Sequence, residues 1–185
     1  MPSLPSFARL LALVLSLSFP VGSKADEVQD INQLFRTGDL TTALARADKF
    51  LARNPNNAQA RFLKGLILTD LGKSAEAIQV FTALTENYPE LPEPYNNLAV
   101  LHAAEGRYDA AKNALEMAIR AHPGYATAHE NLGDLYVRMA AQAYAKALQA
   151  DGSNQTAKAK LALIRELVSG NKPAAPAAEP AGANP

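Results

Sequence analysis

Three glycines, Gly38, Gly72 and Gly106, recur at a fixed interval of thirty-four positions, and the residues around them repeat as well. Ala43, Ala77 and Ala111 share one column of this frame, while Pro55, Pro89 and Pro123 share another and close each block. Self-similarity at such a period marks a stacked array of helix pairs, since one pair cannot bury its apolar face alone and must lean on a neighbour. The frame divides the chain into blocks 24–57, 58–91 and 92–125, with a shorter one over 126–154.

Within a block the residue types predict two helices. Gly72 and Gly106 supply the permissive backbone that ends one helix before the next begins. The block-end prolines cannot continue a helix interior, so the second helices should stop near residues 53, 87 and 121. Ile78, Phe81, Leu84 and Tyr88 recur at helical spacing, and no useful stretch alternates with period two. Small residues at Gly65 and Ala77 let paired backbones approach closely. The predicted class is all-α.

The columns resemble the tetratricopeptide repeat, whose pattern runs W-x2-L-G-x2-Y, then A-x3-F, then P. Its pieces here are Ala77-x3-Phe81 with Pro89, Tyr95-x2-Leu98-Ala99-x2-His102, and Leu132-Gly133-x2-Tyr136. The resemblance covers residues 26 to about 154 and implies a right-handed α-solenoid of helix hairpins that works by offering a surface to other proteins. Block one departs from the pattern, with Glu27, Asp30 and Ile31 where an aromatic, a leucine and a glycine are usual. A terminal repeat faces solvent on one side and is expected to be atypical.

Block four departs differently. Tyr144–Gly152 aligns with Leu115–Pro123 at a spacing of twenty-nine positions, so five residues are missing where the inter-helix turn would fall. No Gly or Pro lies between Asp134 and Asp151, and Leu132, Tyr136, Met139, Ala143 and Ala147 continue one apolar stripe. The shortened last repeat is therefore expected to be one unbroken helix, about Ala126 to Ala150. A capping helix should follow over about 154–169, completing a repeat domain over 26–170.

Residues 1–25 read as a signal peptide. Arg9 precedes an apolar run from Leu10 to Phe19, Pro20 and Gly22 break it, and Ser23-Lys24-Ala25 offers small residues for cleavage after Ala25. Ten residues at about 1.5 Å each cover roughly half of a ~30 Å hydrocarbon core, which disfavours a retained anchor without removing that alternative. Residues 171–185 (NKPAAPAAEPAGANP) carry almost nothing large to bury and read as a disordered Pro/Ala-rich tail. The chain has no cysteine. Export without disulfides points to a bacterial periplasm, or secretion. Eighteen basic and eighteen acidic residues cancel, so no field steers the protein toward nucleic acid or an anionic membrane.

In tetratricopeptide arrays the first helices line a concave groove. Carried over by column, that groove takes Gln59, Phe62, Leu66 and Asp70 from the second repeat. It takes Glu93, Asn96, Val100 and Ala104 from the third, and Glu130, Asp134 and Arg138 from the fourth. Positions 62, 66 and 70 step by four, as do 96, 100 and 104, and 130, 134 and 138, which places each set on one helix stripe. Asn97 and Asn131, one period apart, occupy the column where some repeat families hold an extended peptide backbone. An amide suits that task because it both donates and accepts. The alternative is that each bonds a neighbouring helix. Hydrogen bonds at roughly 0.5–1.5 kcal/mol each cannot reach the ~8 kcal/mol of micromolar binding. An apolar anchor at Phe62 and Leu66 is therefore needed, unless those two merely pack between repeats. Glu93, Glu130 and Asp134 make the groove acidic, while Arg61 and Lys64 fall in columns that point elsewhere. A basic clamp for acidic tails is excluded, and a neutral or basic segment fits better.

No enzymatic apparatus is legible. His102 and His129 sit in aromatic columns and read as packing residues, and His122 lies at a helix C-terminus. None has a second ligand at helical spacing, so no metal is expected. No phosphate loop or serine elbow occurs, and no cofactor is expected. The sequence reads as a non-catalytic envelope adaptor for a protein partner, with no stable membrane insertion after cleavage. The alternatives are a self-associating structural component, or an accessory module of a cell-wall or secretion/pilus assembly system.

Overall fold

The computed structural model describes residues 24–170. The leader and tail readings fall almost wholly outside that range. Within it the chain forms eight helices and no strand. They are α1 (Lys24–Arg36), α2 (Leu40–Arg53), α3 (Ala58–Asp70), α4 (Ser74–Asn87), α5 (Pro92–Ala104), α6 (Tyr108–Ala121), α7 (Ala126–Ala150) and α8 (Gln155–Gly170). Each packs on its sequence neighbour, with α1 also meeting α3 and α5 meeting α7. The result is a solenoid of hairpins in which α1, α3, α5 and α7 are the first helices.

The turns inside the hairpins are copies of one another. Gly38, Gly72 and Gly106 have φ of 83°, 72° and 72°, the left-handed region that L side chains avoid. At each, the glycine N–H bonds three residues back, to Phe35, Thr69 or Ala103. The N–H after it bonds five back, to Leu34, Leu68 or His102. This is the left-handed helix cap that satisfies otherwise orphaned carbonyls. Between hairpins a second pattern recurs. The N–H groups of Asn57, Leu91, Tyr125 and Asn154 each bond the carbonyl three residues back. The last of these follows its predecessor at the shortened interval, while the others keep the full period. The missing residues therefore come out of the hairpin turn and not out of the block end. Accordingly α7 runs unbroken over 25 residues.

Small residues set the helix spacing. Ala43, Ala77 and Ala111 are fully buried, and a Cβ on Gly65 would lie 2.5 Å from Cε1 of the fully buried Phe81. Three apolar clusters result, the first around Phe50 and Ile67, the second around Phe81 and Leu98, the third around Leu115 and Leu135. The atypical α1 still buries Val28 and Ile31. Its unusual acids pair outward, Glu27 with Arg53 at 3.1 Å and Asp30 with Arg46 at 3.0 Å. Such exposed pairs contribute little, so burial of α1 rests on the two apolar side chains. The capping helix α8 seats Ala157 and Leu161 and lays the Lys160 ammonium 5.5 Å from the Tyr144 ring centre.

His129 is a correction. It is exposed rather than packed, and its Nε2–H donates to the Pro123 carbonyl at 2.9 Å. The ring therefore ties the start of α7 to the preceding turn. His102 is half-buried, with an Nδ1 that meets no partner among the described residues.

Candidate functional site

The first-helix face is built by α3, α5 and α7, whose start points are fixed by the repeated block-end turns. Asn96 on α5 is 7% exposed, the only buried polar side chain among the described residues. Its carbonyl accepts from the Asn131 amide of α7 at 2.8 Å. The sequence columns pair Asn131 with Asn97, but the contact that forms is with Asn96. Asn97 instead donates to the Glu93 carbonyl of its own helix at 2.9 Å. Both bonds use the NH2 groups, leaving the Asn97 and Asn131 side-chain carbonyls without a protein donor among the described residues. These are two acceptors on neighbouring first helices.

Phe62 and Leu66 are half-buried against the cluster around Phe81. The Phe62 ring meets Phe81 edge-on, with centres 5.7 Å apart and planes at 60°. Both side chains serve the core first, Phe62 against Phe81 of its own hairpin, and expose only a remnant. Val100 is the open apolar position of this face, 46% exposed. Gln59, Asp70, Glu93, Ala104, Glu130, Asp134 and Arg138 are exposed. No ion pair forms at Glu93, Glu130, Asp134 or Arg138 among the described residues, so three carboxylates face one guanidinium.

Tyr125 belongs to this face, and the groove columns do not pick it out. It precedes α7 and packs on the third cluster. Burial raises its hydroxyl pKa, the Glu93 carboxylate raises it further, and a hydrogen bond with Thr127 opposes both. The available signal is positional, since Tyr125 shares the column of Asn57 and Leu91, where the chain turns into each first helix.

Among the described residues no cluster of three or more His, Cys, Asp or Glu side chains is placed to hold a metal, and no helix is long and apolar enough to cross a membrane. What the face can do chemically is present hydrogen-bond acceptors, an apolar patch and negative charge to a polypeptide.

Comparison with known proteins places the fold. Tetratricopeptide-repeat profiles match residues 31–92 and 92–135, together more than half of the chain. The chain belongs to the tetratricopeptide repeat family, and its fold is that of a protein–protein interaction scaffold. It is 32% identical over 84 residues to the chloroplastic tetratricopeptide repeat domain-containing protein PYG7 of Arabidopsis thaliana, a match covering 43% of this chain and 28% of the relative. The chain thus spans less than a third of the length of the curated relatives it matches. Among solved structures, a thermophilic repeat protein of Thermus thermophilus superposes with a TM-score of 0.59 at 20% identity, covering 79% of this chain and 83% of that one. The first repeat unit of Spaghetti (RPAP3), bound to an HSP90 peptide, gives a TM-score of 0.59 at 17% identity, covering 63% and 93%.

Proposed function

We propose that this protein is an exported, non-catalytic adaptor of the bacterial cell envelope that binds an extended, neutral or basic segment of a partner protein along its first-helix face. The observation that carries the reading is the composition of that face. The Asn97 and Asn131 carbonyls, exposed Val100, and the unpaired Glu93, Glu130 and Asp134 lie on adjacent first helices. Backbone N–H groups of an extended segment suit the two carbonyls, a small apolar side chain suits Val100, and Lys or Arg side chains suit the acids. The Spaghetti (RPAP3) unit supports peptide binding on this fold, although its bound peptide is acidic (SRMEEVD) and this face is not made for one. The leader supports export, with cleavage after Ala25, two residues into α1.

A photo-crosslinking residue at Val100 tests the groove in living cells, with a second placed at Lys158 on α8 as a control. The expected result is a defined adduct from Val100 alone, lost in the Glu130→Lys/Asp134→Lys variant. An adduct indifferent to that charge reversal would sink the reading. Sequencing the mature N-terminus tests export, and a start other than Asp26 would overturn the cleavage site.

A further inference from the structure

The two cations that point away from the first-helix face come together elsewhere. Arg61 and Lys64, one turn apart on α3, line a depression of about 320 Å³ with Leu51 and Pro55 from the α2 end and Gln79, Val80 and Ala83 of α4. Lys64 Nζ is held by the Asp48 carboxylate at 2.6 Å. Arg61 has no such partner. Its Nη1 is sealed from solvent and meets no acceptor, and no carboxylate of the described residues forms an ion pair with it.

The column makes this unusual. Tyr95 and His129 stand one and two periods further on, and each spends its polar tip on a carbonyl. The Tyr95 hydroxyl donates to Thr85 O at 3.3 Å, and the His129 ring N–H to Pro123 O. Glu27, one period before Arg61, is also charged but pairs with Arg53, so in this column only Arg61 leaves its polar group without a partner among the described residues. A water-excluded donor left unmade is costly, and a guanidinium is built to take a carboxylate through two parallel N–H bonds.

We infer that the α2–α3–α4 depression is a second binding site, for a carboxylate borne on a short apolar body. Swinging onto the carboxylate replaces an unsatisfied donor on Arg61 with charge-assisted bonds. Lys64, its charge already matched by Asp48, adds N–H donors to the rim, the Gln79 amide adds a further polar contact, and Leu51, Val80 and Ala83 form the apolar wall. The volume lies at the small end of ligand pockets, so the body is about the size of one amino-acid residue. A C-terminal apolar residue of a polypeptide and a free small carboxylate share this chemistry.

The test uses isotopically labelled full-length protein titrated with N-acetyl-leucine, its amide, and a hexapeptide ending in leucine with a free or an amidated C-terminus. The expected result is shifts at Gln79, Val80 and Ala83 with the acids, at Kd values of about 1–10 mM or tighter, and none with the amides. Affinity should fall at least tenfold in Arg61→Gln and also in Arg61→Lys, which keeps the charge but not the fork. A peptide acid binding tenfold tighter than N-acetyl-leucine assigns the site to a polypeptide C-terminus, and equal binding assigns it to small carboxylates. Equal shifts from acid and amide, unchanged affinity in a folded Arg61→Gln, or no shift up to about 20 mM overturns the proposal. The acid-against-amide comparison needs no variant, so it decides the matter even if Arg61→Gln fails to fold.

Discussion

The Asn131 amide reaches from α7 to the Asn96 carbonyl on α5 at 2.8 Å, a bond between side chains one position more than a full repeat apart in sequence. It joins the third repeat to the fourth across the face proposed to bind a partner. Asn96 is nearly sealed from water, so the bond satisfies a polar group that solvent cannot reach.

Asn131→Ala therefore has a structural cost of its own. It leaves the Asn96 carbonyl buried without that donor, and stability should fall by about 1–3 kcal/mol. Asn96→Ala/Asn131→Ala should lose less than the sum of the single changes, with a coupling of at least about 0.5 kcal/mol. Urea unfolding of the parent, the two single variants and the double variant measures this, and additive losses would mean the bond contributes nothing.

Two glycines in the same column should respond oppositely to alanine. Gly65→Ala drives a methyl into the buried Phe81 ring, and overpacking of this kind costs about 1–3 kcal/mol. A Cβ on Gly133 meets nothing within 4 Å, so Gly133→Ala in α7 should stabilise by up to ~1 kcal/mol through helix propensity. Thermal melts of the pair check both signs, and a shared sign would contradict the packing described.

The unbroken α7 can be tested at Ala140. A proline there removes a helix hydrogen bond and clashes with the preceding turn, which costs about 3 kcal/mol or more in a helix interior. A loss under about 1 kcal/mol by chemical denaturation would show that the chain is not continuously helical there.

Stability should depend on the protonation of His102. Burial lowers its pKa first, the nearby Arg107 lowers it further, and Glu105 opposes both. The folded protein then binds the proton less readily than the unfolded chain. Stability is complete above the unfolded value, about 6.5, and falls as pH drops from there through the lowered folded value. His102→Leu should flatten that part of the pH–stability profile, and an unchanged slope would assign it to other groups.

What was legible from sequence is what local chemistry decides. A glycine column needs only its own φ to end a helix, a proline only its ring, and a turn shortened by five residues leaves nothing to interrupt α7. The hairpins, their boundaries and the irregular fourth repeat follow from rules acting within a few residues. Partner choice between repeats does not, because it depends on how one hairpin rotates onto the next, and a sequence period carries no record of that angle. The columns align Asn131 with Asn97, while stacking brings it to Asn96. They place Phe62 and Leu66 on the groove, while the core around Phe81, in their own hairpin, takes most of their surface. They assign His129 to packing, and the turn before α7 draws it out to Pro123. Arg61 is legible only as a cation pointing away from the groove. That it has no acceptor is a property of the three helices around it, and only the tertiary structure could decide it.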